Sequence, residues 1–247
     1  MSETEKERID ESVKELLREA VRGGEAVRSL LHTMSRIGPG YSGMDALRIA
    51  AQAPDASLLK TPEEWQALGH PASPDAKRVR IFPGETEEGL ELVDVKQVPS
   101  FFRPALTLNG DPEREICALL DRMRPKTRLC GELPEPELLA YYDNSEGTVF
   151  VRRGEGDPAD LFRDLVRECA YASFSERSET YSRRRLSYPA VCAAVYCCVR
   201  FGVDDSAFSL EGAPPDLKKT TDSGRTAFLL SVREVAEDLC GRMAPDG

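Results

Sequence analysis

Leu165-Val166-Arg167-Glu168-Cys169-Ala170-Tyr171-Ala172-Ser173-Phe174 lies at the centre of the chain's most apolar region, 158–201, and its reading decides the fold. Asp157 followed by Pro158 is a helix start: aspartate caps the free N–H groups, and proline at the first helical position has none to waste. From there Leu161, Leu165, Cys169 and Ala172 recur on one face, with Phe162, Val166 and Ala170 beside them, so most of this helix is expected to be buried. A second apolar run, Tyr188 to Phe201, is too long for a strand. It carries the small residues Ala193, Ala194, Cys197 and Cys198, which let a neighbouring helix approach closely. The two runs read as packed core helices.

Glu168 sets a problem inside that apolar helix, because a carboxylate desolvated without a partner costs several kcal/mol. In an H-E-x-x-H zinc helix, two histidines one turn apart hold the metal and the glutamate works on its bound water. The five residues here are Arg167-Glu168-Cys169-Ala170-Tyr171. The glutamate is in register, but arginine has no lone pair to donate to zinc, and tyrosine is an uncommon ligand at such a site. On those five residues alone, a helix with a salt-bridged glutamate on its flank is the plain alternative.

The 247 residues are 40% hydrophobic and 31% charged, ordinary for a soluble globular protein of one large core or two modest ones. No stretch approaches ~18 consecutive apolar residues, and Met1-Ser2-Glu3-Thr4-Glu5 is acidic where a signal peptide is basic and then apolar; a cytoplasmic protein is expected, with no membrane partner. Seven cysteines without a C-x-x-C pair, three of them (Cys192, Cys197, Cys198) crowding one apolar run, read as reduced buried thiols. With only His32 and His70 available, neither at ligand spacing, no metal or other cofactor is expected. A net charge of −10 and a pI near 5.0 argue against broad electrostatic binding to nucleic acid, leaving Lys77-Arg78-Val79-Arg80 and Arg183-Arg184-Arg185 as local basic stretches.

Taken in order, the first third is helical. The spacing predicts helices over 4–21, 25–34, from a Ser42 cap to Pro54, and from Pro62 to Leu68, the last opened by Thr61-Pro62-Glu63-Glu64. Arg78 to Phe82 and Leu90 to Val98 are β-branched and alternating and predict a hairpin, closed by Phe101-Phe102-Arg103-Pro104. A helix over 112–123, loop at 131–136, a strand over 148–152 and a last helix over 223–243 complete the chain. The fold class is α+β and mostly helical: helices and a β-hairpin unit first, then a helical domain with a small sheet.

Tyr41-Ser42, Ala51-Gln52-Ala53-Pro54-Asp55-Ala56, Trp65-Gln66-Ala67-Leu68-Gly69, Arg80-Ile81-Phe82-Pro83 and Leu92-Val93-Asp94-Val95-Lys96-Gln97 follow one another in an order that resembles the N-terminal domain of ArdC/LtrC-type antirestriction proteins of plasmids, phages and conjugative elements. The second half resembles that family's metallopeptidase-like domain: Val149-Phe150 as its strand, Leu165 to Tyr171 as its first helix, and Ala190 to Asp204, ending Phe201-Gly202-Val203-Asp204, as its second. The resemblance implies two domains, 1–104 and 105–247. It also implies a site that has lost its ligands, with Arg167 and Tyr171 in place of both histidines and Val191 near the place of a glutamate. Arg167 is expected either to pair with Glu168 or with a carboxylate of the Glu176 to Glu179 segment, supplying the charge of the missing dication, or to point to solvent as its long side chain permits.

The family's association with single-stranded DNA implies phosphate contacts by Lys77, Arg78 and Arg80, with Tyr41 or Trp65 as a stacking face; Phe82 is a third aromatic candidate. Loss of the family's asparagine after Tyr-Ser and of basic residues before the hairpin weighs against that inheritance. The expected function is therefore non-enzymatic binding by a mobile-element protein. The alternatives are an acidic module engaging a host restriction or repair protein, and a zinc peptidase.

Overall fold

The structure is a computed structural model and describes residues 4–86, 88–98, 111–122, 126–154, 156–178 and 180–243. The chain divides into two compact units, Met1–Thr107 with Glu211–Thr226, and Leu108–Leu210 with Ala227–Gly247.

The first unit opens with α1 (Glu5–Ala20), fixed at its start by a capping box: the Thr4 hydroxyl accepts from the Glu7 N–H, and Glu7 accepts from the Thr4 N–H. It buries Val13, Leu17 and Ala20, while α2 (Gly24–Ile37) buries Val27, Leu30, Leu31 and Met34. Ser42 caps α3 (Gly43–Gln52) by accepting from the Asp45 N–H at 3.1 Å. After β1 (Leu59–Lys60), Thr61 and Glu64 form a second capping box on α4 (Pro62–Ala67), with Pro62 in the first turn. The hairpin is β2 (Val79–Ile81) and β3 (Leu90–Asp94), joined through a 3-10 turn at Pro83–Glu85. β3 is central, in the order β1-β3-β2, and both pairings are antiparallel. Trp65, Ala76, Val93, Val95 and Val98 form one buried cluster behind it.

The second unit contains α5 (Pro112–Asp121), β4 (Lys126–Cys130), β5 (Ala140–Asp143) and β6 (Thr148–Arg152), with β6 paired parallel to β4 and antiparallel to β5. Two long helices pack on each other, α6 (Pro158–Glu176) and α7 (Arg183–Phe201), and the edge-to-face contact of Phe162 with Phe201 at 6.0 Å marks one end of their seam. Ala190, Ala193, Ala194, Cys197 and Cys198 of α7 are all fully buried. Gly202 ends α7 at φ +68, a left-handed position that costs glycine nothing. A short α8 (Pro215–Lys219) precedes α9 (Asp222–Met243), whose first turn belongs to the first unit and whose remainder belongs to the second.

The architecture is the expected mostly helical α+β class with two small three-stranded sheets. The second hairpin strand, expected to reach Val98, ends at Asp94, whose side chain caps a 3-10 turn at Val95–Gln97, and other elements differ as well. α7 starts at Arg183 and not at Tyr188: Ser182 caps it, and Pro189 sits inside, where its missing N–H leaves one carbonyl of the preceding turn unpaired by the helix. β1, β4 and β5 were not expected from the sequence, and neither was α8, with five residues or fewer in each. The expected closure at Phe101 to Pro104, the helix end at Met123 and the carboxylate of Glu179 lie outside the described residues. No helix among those described is long and apolar enough to cross a membrane.

Candidate functional site

Asp157 caps α6 by accepting from the Ala159 N–H at 2.7 Å, and the helix then carries Glu168 to a position with no solvent exposure. An ionised carboxylate has about four lone-pair directions to satisfy. Oε1 accepts from Arg183 Nη2 at 2.9 Å and from Arg167 Nε at 3.2 Å. Oε2 accepts from Arg183 Nη1 at 2.7 Å and from the backbone N–H of Tyr142 at 2.9 Å. All four directions are therefore filled, two of them by the parallel prongs of one guanidinium.

Arg183 contacts two rings, its guanidinium carbon 4.4 Å from the centroid of Tyr141 and 4.3 Å from that of Tyr171. Both distances fall within cation–π range, and the desolvated setting strengthens them. Burial works against the charge of Arg183, but its hydrogen bonds and attraction to Glu168 outweigh burial and hold the guanidinium above its ordinary value. Burial raises the Tyr171 phenol, which stays neutral at any ordinary pH. The Arg183 side chain is 23% exposed, so it is only partly withdrawn from solvent; Nε lies 3.5 Å from Glu135.

The expected pairing of Arg167 with Glu168 is present, and Arg167 also donates to Asp164 Oδ1 at 2.9 Å. Asp164 in turn accepts from the Leu139 N–H at 2.7 Å; burial raises its carboxyl against the pull of that bond and of Arg167. Arg167, Asp157, Asp160, Arg163, Asp164 and Glu137 line a cleft of about 420 Å³. The larger share of the compensating charge falls to Arg183, which the sequence offered only as one arginine of a three-residue basic run. No signal in that run separates it from Arg184 and Arg185. Tyr141 and Tyr142 belong to β5, a strand that sequence periodicity did not reveal.

A divalent metal does not fit these residues. Arg167 and Arg183 donate only, the Tyr171 ring is stacked on a cation, Val191 offers no donor atom, and all four positions of Glu168 are filled. Burial pushes the thiol of Cys192 up to about 12 and that of Cys169 higher still, so neither is a ready thiolate. Among the described residues no group of three or more His, Cys, Asp or Glu side chains is placed to hold a metal ion.

The first unit scatters its nucleic-acid candidates. Trp65 is 2% exposed and donates its indole N–H to the Val93 carbonyl at 2.8 Å, so it has no open face for a base; its large apolar surface goes to the core. Phe82 is likewise buried, beneath Lys6 and Arg48. Tyr41 is half-buried and donates its hydroxyl to the Leu59 carbonyl at 2.7 Å; burial pushes the phenol up to about 12. Lys77 Nζ donates to the Gln52 carbonyl at 2.9 Å. Arg78 lies 3.9 Å from Glu91, and Arg80 pairs with both Glu91 and Glu5. Arg80 lies in β2 and Lys77 and Arg78 just before it, each already engaged.

No protein-family model and no curated protein matches the chain. Two solved structures do, both described as crystal structures of the antirestriction ArdC protein from the R388 plasmid. The metal-free form shares 16% identity, covering 82% of this chain and 85% of that one, with a TM-score of 0.50. The Mn(II)-bound form shares 17% identity, covering 84% and 86%, with a TM-score of 0.52. The likeness that the motifs suggested is present in three dimensions, across both halves: this chain has the ArdC fold.

Proposed function

We propose that this chain is an antirestriction-type protein of the kind mobile elements carry, acting by binding and not by peptide hydrolysis. One observation carries the non-enzymatic part: Glu168, in register with a peptidase's general base, has no free lone pair with which to activate water. The residues around it supply cations of their own where a metal's ligands would be needed. For the first unit the proposed ligand is single-stranded DNA, and the support is the ArdC fold together with Lys77, Arg78 and Arg80, close in sequence at and just before β2. Because Glu5 and Glu91 already engage the arginines, phosphates must compete with carboxylates, and binding should be modest and sharply salt-dependent.

Fluorescence anisotropy with a labelled single-stranded oligonucleotide at low and moderate salt tests the DNA part. Binding that weakens steeply with salt is expected, and none below ~100 μM at low salt overturns it. In that case the net charge of −10 favours the second reading, a protein partner with a basic surface.

A further inference from the structure

Two stacked rings, a fork-shaped bond to a carboxylate and a fixed backbone donor on that same carboxylate make up the chemistry by which proteins recognise an arginine side chain. Tyr141, Tyr171, Glu168 and the Tyr142 N–H assemble all of it within one unit. We infer that these residues form a guanidinium-binding site whose occupant is the chain's own Arg183, a self-filled pocket that takes an external guanidinium once that side chain is removed.

Selectivity follows from the geometry. An ammonium could meet the charge of Glu168 but cannot present two parallel N–H bonds at 2.7 and 2.9 Å, and its compact sphere offers no planar face to the Tyr141 and Tyr171 rings. A neutral urea has the planar shape without the charge that the buried carboxylate requires. Arg167 remains on Oε1 at 3.2 Å, so the carboxylate stays oriented when Arg183 is truncated. Access is provided by the partial exposure of the Arg183 side chain, 23%, so truncating it opens the site toward solvent. The pocket would take its guanidinium whether or not the first unit binds DNA.

The test is chemical rescue. Arg183→Ala should lower the melting temperature of the full chain by roughly 5 °C or more, the usual consequence of stranding a buried carboxylate in a protein of this size. N-ethylguanidinium at ~10 mM should restore at least half of that loss by binding the folded state, and it should leave the wild type unchanged. Ethylammonium and urea at the same concentration should restore nothing. Arg183→Ala combined with Tyr171→Leu should lose most of the rescue. Equal effects of ethylguanidinium and ethylammonium, or no rescue of a folded Arg183→Ala protein, overturn the assignment. Should Arg183→Ala not fold unaided, refolding yield with and without ethylguanidinium decides the matter instead: recovery only with the guanidinium supports the site, and none with any additive rejects it.

Discussion

The side-chain amide of Gln52 pairs with the backbone of Arg80 on both sides of one residue, donating Nε2–H to the Arg80 carbonyl at 2.7 Å and accepting the Arg80 N–H at 3.0 Å. A carboxamide thereby does what the next strand would do, satisfying the outer edge of β2. Gln52→Leu leaves both backbone groups without that partner and should destabilise the protein by roughly 1–3 kcal/mol. Gln52→Glu keeps the size but loses the donor, and should be no better than leucine. Denaturant titration of the two variants checks both expectations.

Arg48 is 1% exposed and holds Asp10, Asp45 and Glu85 at 2.8 to 3.2 Å, with Asp45 also accepting the Phe82 N–H. Arg48→Met should cost about 3 kcal/mol, chiefly by stranding Asp45. Glu85, held at φ +60, has its carboxyl lowered first by the Arg48 hydrogen bonds. A lowered native value means its contribution is complete above the ordinary carboxylate range, about pH 4.3, and fades as pH falls below it. Melting curves between about pH 5 and pH 3 should therefore converge for wild type and Glu85→Gln.

Arg167→Ala should be milder than Arg183→Ala, about 1–2 kcal/mol, because Glu168 keeps its two-pronged partner and only Asp164 loses its cation. Equal losses for the two variants, measured by denaturant titration, would mean that the compensating charge is shared evenly and not concentrated on Arg183.

Mn(II), Zn(II) or a chelator should each shift the melting temperature by less than ~1 °C, since a ligand that does not bind the native state cannot stabilise it. Stoichiometric metal in protein purified without chelator would contradict the fit argued for Glu168 and its arginines.

Glu91→Gln releases Arg78 and leaves Arg80 paired with Glu5 alone. If single-stranded DNA is the ligand, affinity at low salt should rise by roughly threefold to tenfold, and the slope against salt should steepen as one more cation reaches the phosphates. Anisotropy at three salt concentrations reads both.

Much of the helical frame was legible because its signals are local. Ser42, Thr61 and Asp157 cap helices as their positions imply, and α6 buries the face that its spacing defines. β4 and β5 were illegible for the opposite reason: five and four residues hold too little periodicity, and their pairing with β6 is decided by the tertiary fold. Arg167 beside Glu168 could be anticipated, since one turn of a helix fixes both. Arg183 could not, because it comes from the next helix, whose apolar run begins only at Tyr188 and so hid where that helix starts. Trp65 shows the limit of reading aromatics as binding faces when nothing in sequence tells a platform from a core residue.

The bond from the Tyr142 N–H to Glu168 also decides what can be added to the second sheet. β5 pairs with β6 along one side, and on the other the N–H of Tyr142 is turned to a carboxylate clamped by a guanidinium. A strand from another molecule laid along that side finds no donor at Tyr142 unless it first evicts a buried ion pair. Glu168 thus works as a stopper on the β5 side of the sheet, denying stray chains a template for growth there.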